Sequence, residues 1–596
     1  MDNQRNLLLA VALSGLLILG WDFAMRAFYP EASAPTVEEQ VAPANSASTG
    51  SAPASTTAAS GELARADTPT GPVDLSAALA DPQRVAIDTP KLAGSINLVG
   101  ARIDDIVLKD YRETVDKDSE QVRLFAPDGT DNQYFAEFGF VVDGNRFPSD
   151  LVWQADAERL TPDTPVTLSL PDQDGITYSI KLSIDQNYMI TAEQVVDNRS
   201  EGASIVQPFA LIKRDARAAS PDEFIVHAGP VGVFGETLHD PNSYDELAEI
   251  GRDTPEGRAS WLGFTDRYWH SALIPGDGEV DSAGFRSLGD DLFRTDVLYR
   301  PITLASGATL TQSTQLFAGA KDSVILDRYE ESGIVLFGKA ISWGWFEIIE
   351  KPLLWLLRTL NGLIGNFGIA IIAMTFIIRG LLFPIAQKQF ASMAQMKAVQ
   401  PKMKAIQERY KDDKQKQQQE IMKLYKEEKV NPLAGCLPLI IQIPIFFALY
   451  KVLILAIEMR HEPFIPFWIN DLSAPDPWTF LNLFGLLDFD VSGTVFGIGV
   501  LAVLLGVTMW LTFKLNPSAM DPVQQQIFNF MPWILMFVMA PFMSGLLLYW
   551  VTSNILTLAQ QKYLYSKHPQ LRAAAEKEKA ERAQQAEREK AEKGKA

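Results

Sequence analysis

The chain has 596 residues, with 53 Lys and Arg against 73 Asp and Glu, a net charge of −20 and 47% apolar residues. One cysteine, Cys436, excludes an internal disulfide and any Cys-based zinc site, and five scattered histidines (His227, His239, His270, His461, His568) show no metal-ligand spacing. Residues 31–330 hold 23 basic and 49 acidic residues, a net of −26, which argues against nucleic acid as their partner.

Leu7 to Trp21 is an uncharged apolar run preceded by Arg5, as in a signal peptide or a signal anchor. The Ala32-Ser33-Ala34 triplet has the form of a cleavage site. It lies too far beyond Trp21 for a signal peptide, which favours an uncleaved anchor. Residues 31–75, rich in Ala, Ser, Thr and Pro, hold too few large apolar residues to order themselves and read as a flexible tether.

From Pro82 to Ala318 the pattern is β. Tyr178, Ile180, Leu182 and Ile184 alternate with polar neighbours, the period of a half-buried strand, and Val166 to Leu170 repeats it. A large antiparallel sandwich follows. Trp261, Phe264, Tyr268 and Trp269 cluster inside this region and are expected in its core rather than around a ligand.

Lys339 to Arg358 mixes charges with Trp343, Trp345, Phe346 and Trp355, the composition of a helix lying in a membrane interface. Apolar spans are expected within Thr359–Gln387, Val430–Ile457 and Gly493–Phe513. Val523 to Gln561 is uncharged for 39 residues, about 58 Å as one helix and nearly twice a ~30 Å hydrocarbon core. It must fold back, and Ala540-Pro541-Phe542-Met543-Ser544-Gly545 supplies the turn, giving spans near 527–541 and 543–563.

With the N-terminal run that makes six spans, so both termini lie on one side. Residues 387–430 carry 11 Lys and Arg and six acids, and residues 562–596 carry 10 and six. Basic segments stay cytoplasmic, which sets both termini inside and the acidic β domain outside. The expected fold is a multidomain membrane protein: a periplasmic antiparallel β-sandwich plus an α-helical transmembrane core.

Arg379 stands out, because an unpaired Arg in an apolar span is costly. Eight or nine residues before Lys388, it is placed within the inner leaflet, either snorkelling to headgroups or flooring a hydrated cavity open to the cytoplasm. Thr375 lies at i−4 on its face, and Gln442 falls mid-span between Pro438 and Pro444. Trp550, Ser553 and Asn554 are expected to share a face of the last span. Singly, such residues are commonly interhelical glue; with Arg379 they suggest a polar lining from three helices.

Met396, Val399, Met403, Ile406 and Tyr410 repeat at helical spacing, Lys411–Lys414 reads as a turn, and Ile421, Leu424 and Tyr425 resume the stripe. A basic antiparallel helical hairpin results, self-packed or offering Met-rich and basic faces to headgroups, ribosomal RNA or an incoming apolar segment. Residues 570–596, rich in Ala, Glu, Lys and Arg, read as a solvated helix or a disordered tail. Walker-type, Gly-x-Ser-x-Gly and His-Glu-x-x-His patterns are missing, and no span holds a carboxylate pair or a histidine, so neither an enzyme nor a cofactor is expected.

Three stretches resemble the YidC membrane-protein insertases: Phe376-Ile-Ile-Arg-Gly-Leu-Leu-Phe-Pro384, the run Asn431–Tyr450 containing Gly-Cys-Leu-Pro-Leu-Ile-Ile-Gln-Ile-Pro, and Ser544-Gly-Leu-Leu-Leu-Tyr-Trp-Val-Thr-Ser-Asn554. The resemblance covers the whole chain, with Phe484–Gly493 standing as an apparent insertion. It implies a hydrophilic groove open to cytoplasm and lipid, lined by Arg379, Thr375, Gln442, Tyr549, Trp550 and Asn554, with Met396, Lys402, Met403, Lys404 and Arg409 as contacts on the hairpin. The implied function is insertion and folding of nascent inner-membrane proteins, alone or with the Sec translocon. The implied partners are nascent chains, the translocon, the ribosome or signal recognition machinery and lipids, with no DNA. A small-solute transporter or channel is the alternative.

The expected organisation is an anchor over 1–28, a tether over 29–79 and the β-sandwich over 80–325. A linker with the interfacial helix covers 326–365, five spans with the hairpin 387–430 cover 366–565, and a basic tail covers 566–596.

Overall fold

The computed structural model describes residues 73–567 apart from 117, 219–225, 241–242, 412, 429–436, 488–496 and 516–521. The described residues all fall in one compact unit. The expected N-terminal anchor, most of the tether and the basic tail lie outside them.

Residues 84–320 form two sheets of twelve and nine strands. Neighbouring strands pair antiparallel except where Ala86 and Ile87 run parallel to Arg159 and Leu160. In the smaller sheet Ile176–Ile184 pairs with Met189–Asn198, which pairs with Thr309–Ala320. Every second residue of Ile176–Ile184 is buried, so its alternation is the core-facing pattern of a strand wet on one side. The sheets meet face to face: the Phe140 and Tyr178 rings lie 5.4 Å apart, and Gln194 of the smaller sheet donates to the Gly139 carbonyl of the larger at 2.7 Å.

In the larger sheet Tyr134–Val142 and Leu292–Tyr299 are buried on both faces. Their outer face carries a second apolar cluster of Phe135, Val141, Phe209, Leu211 and Leu298. Cations cover it, with the Arg102 and Arg146 guanidinium groups 4.9 and 5.0 Å from the Phe135 and Phe209 ring centres. Both arginines pair with the buried Glu137 at 3.1 and 2.6 Å, so ordered ion pairs close a face that would otherwise be wet. The aromatic cluster belongs to the core. Trp261, Phe264 and Tyr268 are core residues, as expected, whereas Trp269 is only partly buried against that core; the Tyr268 and Trp269 rings both also face Arg460.

The helices are α1 (Leu75–Leu79), α2 (Tyr244–Ile250), α3 (Ser323–Glu331), α4 (Glu347–Ile364), α5 (Phe367–Leu381), α6 (Phe383–Arg409), α7 (Lys414–Glu427), α8 (Leu437–Leu455), α9 (Val500–Leu515), α10 (Pro522–Val538) and α11 (Ser544–Lys567). The amphipathic helix starts at Glu347 rather than Lys339. Trp343 precedes it and is buried, while Ile348, Trp355 and Leu363 are exposed on the helix itself.

The first apolar helix, α5, fills only part of Thr359–Gln387. Gly365 ends α4 with φ 77°, and Asn366 caps α5 by accepting from the Ile369 N–H at 2.9 Å. α5 and the start of α6 meet at a bend of 53°. No single helix among the described residues is long and apolar enough to cross a membrane; taken together, the two arms of this bend have the length and composition of a broken span or a re-entrant loop. The uncharged run near the C-terminus folds back through Met539–Met543 between α10 and α11, at the expected turn. α11 packs against α5, α8 and α9.

Candidate functional site

Arg379 occupies the last turn of α5, immediately before the bend. The helix turns there because Leu382 closes α5 and Pro384, which has no N–H to lose, opens α6. The expected rise of straight helix from Arg379 to Lys388 is therefore not present. The Arg379 Nε donates to the Ser553 hydroxyl of α11 at 3.0 Å, and Nη2 reaches the same oxygen. The Gln560 side-chain amide approaches the Arg379 carbonyl at 3.5 Å. No carboxylate pairs with Arg379 among the described residues. A hydroxyl partner satisfies hydrogen bonds of the guanidinium but supplies no counter-charge.

Tyr549 lies one turn before Ser553 on the same face of α11. Its buried hydroxyl accepts from the Gln442 amide of α8 at 2.8 Å. Trp550 packs beside this contact, its ring 4.9 Å from that of Phe446. α5, α8 and α11 thus share a polar seam of Arg379, Ser553, Tyr549 and Gln442.

Two expected groove residues are engaged elsewhere. Asn554 points to α9, where its amide donates to Thr508 at 3.2 Å, so Ser553 and Asn554 face different neighbours rather than one cavity. One residue is 100° of helix, enough to change partners. Thr375 is fully buried and its hydroxyl returns to the Ile371 carbonyl of its own helix at 2.6 Å. Thr508 and Gln560 were not singled out in the sequence. Gln560 had a signal, lying seven residues beyond Ser553 on the same face; Thr508 had none.

The hairpin packs on itself. Val399 and Leu424 are buried against each other with Met403 and Ile406, and the Tyr425 hydroxyl contacts the Met403 sulfur at 3.2 Å. Lys402 pairs with Glu428 at 2.5 Å. Met403 and Lys402 therefore hold the hairpin together, whereas Arg409 is exposed at the end of α6. The side chains of Met396 and Lys404 lie outside the described residues.

A second set of contacts, absent from the sequence reading, joins the helical region to the β domain and to the linker that follows it. Arg267 Nε donates to the Ile454 carbonyl at 3.0 Å, Arg460 Nη1 to the Arg112 carbonyl at 2.6 Å, and Lys451 Nζ to the Ser342 carbonyl at 2.6 Å.

Among known families, residues 84–356 match the YidC periplasmic domain and residues 359–571 the 60Kd inner membrane protein family. A membrane protein insertase YidC from Beijerinckia indica subsp. indica is 42% identical, covering 94% of this chain and 96% of its own. One from Zymomonas mobilis subsp. mobilis is 42% identical over 95% and 96%. A crystal structure described as an active YidC insertase with its first transmembrane domain resolved is 18% identical with TM-score 0.35, covering 82% of this chain and 93% of that one. Membership rests on the sequence relatives: the chain belongs to the YidC family of membrane protein insertases, inner-membrane proteins with a periplasmic domain.

Proposed function

We propose that the chain inserts nascent membrane proteins into the inner membrane through the seam between α5, α8 and α11. Insertion makes and breaks no covalent bond, and the chain is not an enzyme. In this reading the N-terminal anchor and five helical segments give six spans, with both termini and the hairpin in the cytoplasm and the β domain in the periplasm. The distribution of Lys and Arg supports that orientation.

The polar flank of an incoming segment enters at Arg379, while its apolar part slides along the lipid-facing side. A polar half-path shortens the stretch of hydrocarbon the flank must cross. Burial of the new apolar span, about 20 residues long, supplies the driving force. Arg379 attracts acidic flanks and keeps the seam wet. The hairpin meets the ribosome or signal recognition machinery, and the chain works alone or beside the Sec translocon.

The observation behind this reading is a guanidinium that, among the described residues, is held by the Ser553 hydroxyl and by no carboxylate, at the junction of α5 and α11. The test is site-specific photo-cross-linking of a ribosome-bound single-span nascent chain. Probes at Gln442 and Ser553 should capture it, and a probe at the exposed Phe530 of α10 should not. Equal capture at all three positions would remove the seam as the path.

A further inference from the structure

We infer that Phe480–Leu487, in the connection between α8 and α9, is a lipid anchor seated in the membrane interface at the β-domain end of the molecule. The inference goes beyond insertion and concerns a surface remote from Arg379. Phe480, Leu481, Leu483, Phe484, Leu486 and Leu487 are all exposed, Leu486 at 82%, and no charge occurs between Pro477 and Leu487. An apolar patch of this kind marks a contact with something other than water.

The backbone argues that the contact is lipid. The N–H groups of Thr479, Asn482 and Gly485 are taken by the side chains of Asn482, Thr479 and Asn482 at 3.0, 3.3 and 3.0 Å. Those of Phe480, Leu483, Phe484, Leu486 and Leu487 go to the carbonyls of Ile498, Phe480, Thr479, Leu483 and Asn482 at 3.0–3.4 Å. Among the described residues, eight of the nine N–H groups from Thr479 to Leu487 are thus paired within the protein, that of Leu481 being the exception. Water would satisfy such groups in an ordinary surface loop, whereas hydrocarbon cannot, so a lipid-facing loop pairs them internally.

Leu483 and Phe484 are held at φ 50° and 59°, a left-handed conformation that bulky residues avoid. That conformation turns their side chains outward around the buried Asn482, whose amide also donates to the Pro477 carbonyl at 2.8 Å. The base is fixed to the first turn of α9. Asp476 accepts from the Leu501 N–H and from the indole of Trp468, both at 2.8 Å, and Trp468 stacks on Trp478 at 5.5 Å. Tryptophans at the foot of an apolar segment are the usual markers of a membrane interface. The exposed apolar end of α4 adjoins the same connection, because Asn366 donates to the Pro463 and Phe464 carbonyls at 3.3 and 3.1 Å.

The test is fluorescence quenching of the full chain in liposomes. An environment-sensitive dye is attached to Leu486→Cys, to Ser306→Cys on the exposed surface of the β domain, and to the parent, whose single Cys436 supplies the background. Doxyl-labelled lipid should quench the Leu486 site about threefold more than the Ser306 site, with iodide showing the reverse. Quenching of Leu486 by iodide alone would make the loop a water-facing surface and overturn the proposal. Protection from both quenchers would assign the patch to a protein contact and overturn it equally. Leu486 is so exposed that its replacement leaves the fold intact, and an unchanged melting temperature of the labelled variant verifies this.

Discussion

Arg379 illustrates what a residue's surroundings add to its identity. An arginine in an uncharged run is visible in the sequence, but whether it snorkels, pairs or floors a site depends on a neighbour 174 positions away, Ser553. Arg379→Ala should lower insertion of a short substrate with an acidic flank about tenfold, a loss of about 1.4 kcal/mol of attraction. A neutral-flanked substrate should be little affected, as read by protease protection in inverted vesicles. Arg379→Lys should recover most of the loss, since the charge is retained. Lys321 offers a prediction outside the membrane. It is fully buried beside Thr265 at 3.1 Å, and burial pushes its ammonium down to about 7, opposed by Asp266. Between pH 7 and 10 the unfolded chain binds this proton and the folded chain does not, so stability rises with pH across that window. Lys321→Met should flatten the rise and stabilise the protein at pH 7 by on the order of 2–4 kcal/mol, measured by thermal unfolding in detergent.

At the scale of elements, legibility followed the physical signal. The strand Ile176–Ile184 was readable because one face is wet, which writes the period into its residues. Tyr134–Val142 gave no such period because both of its faces are covered. Gly365 and Asn366, the residues on either side of the expected 365/366 boundary, are the stop and start signals between α4 and α5. The bend after Leu381 was hidden inside an apolar run, and with it the place of Arg379 in the last turn before the bend. Arg379, Gln442 and Tyr549 could be picked out as polar residues in apolar helices, but their partners are set by helix packing, which no local pattern records. The Asn554–Thr508 contact should behave as glue: Asn554→Leu should destabilise the helical region by about 0.6–1.7 kcal/mol while cross-linking to the nascent chain at Ser553 persists. Leu424→Ala should loosen the hairpin, and faster proteolysis near Lys411 would report it.

Across the described residues a polar domain and an apolar one are joined by a continuous buried apolar cluster and by a few directed hydrogen bonds. The chain's net charge of −20 averages a −26 region with two basic segments and a weakly charged remainder, so the total describes none of them. Arg267 and Arg460 reach backbone carbonyls across the junction, and Arg460 also lies 5.4 Å from the centre of the Trp269 ring. Replacing both with Ala should raise hydrogen exchange at the junction while leaving insertion intact, because neither touches the seam. Removal of residues 80–320 should likewise preserve most insertion; a complete loss would assign the essential task to the β domain. The most direct measurement is reconstitution. The purified chain in liposomes, supplied with ribosomes making a single-span protein, should insert that protein into a protease-protected position, and Arg379→Ala should impair acidic-flanked substrates selectively. Liposomes that conduct a small solute yet insert nothing would contradict the insertase reading and favour a transporter.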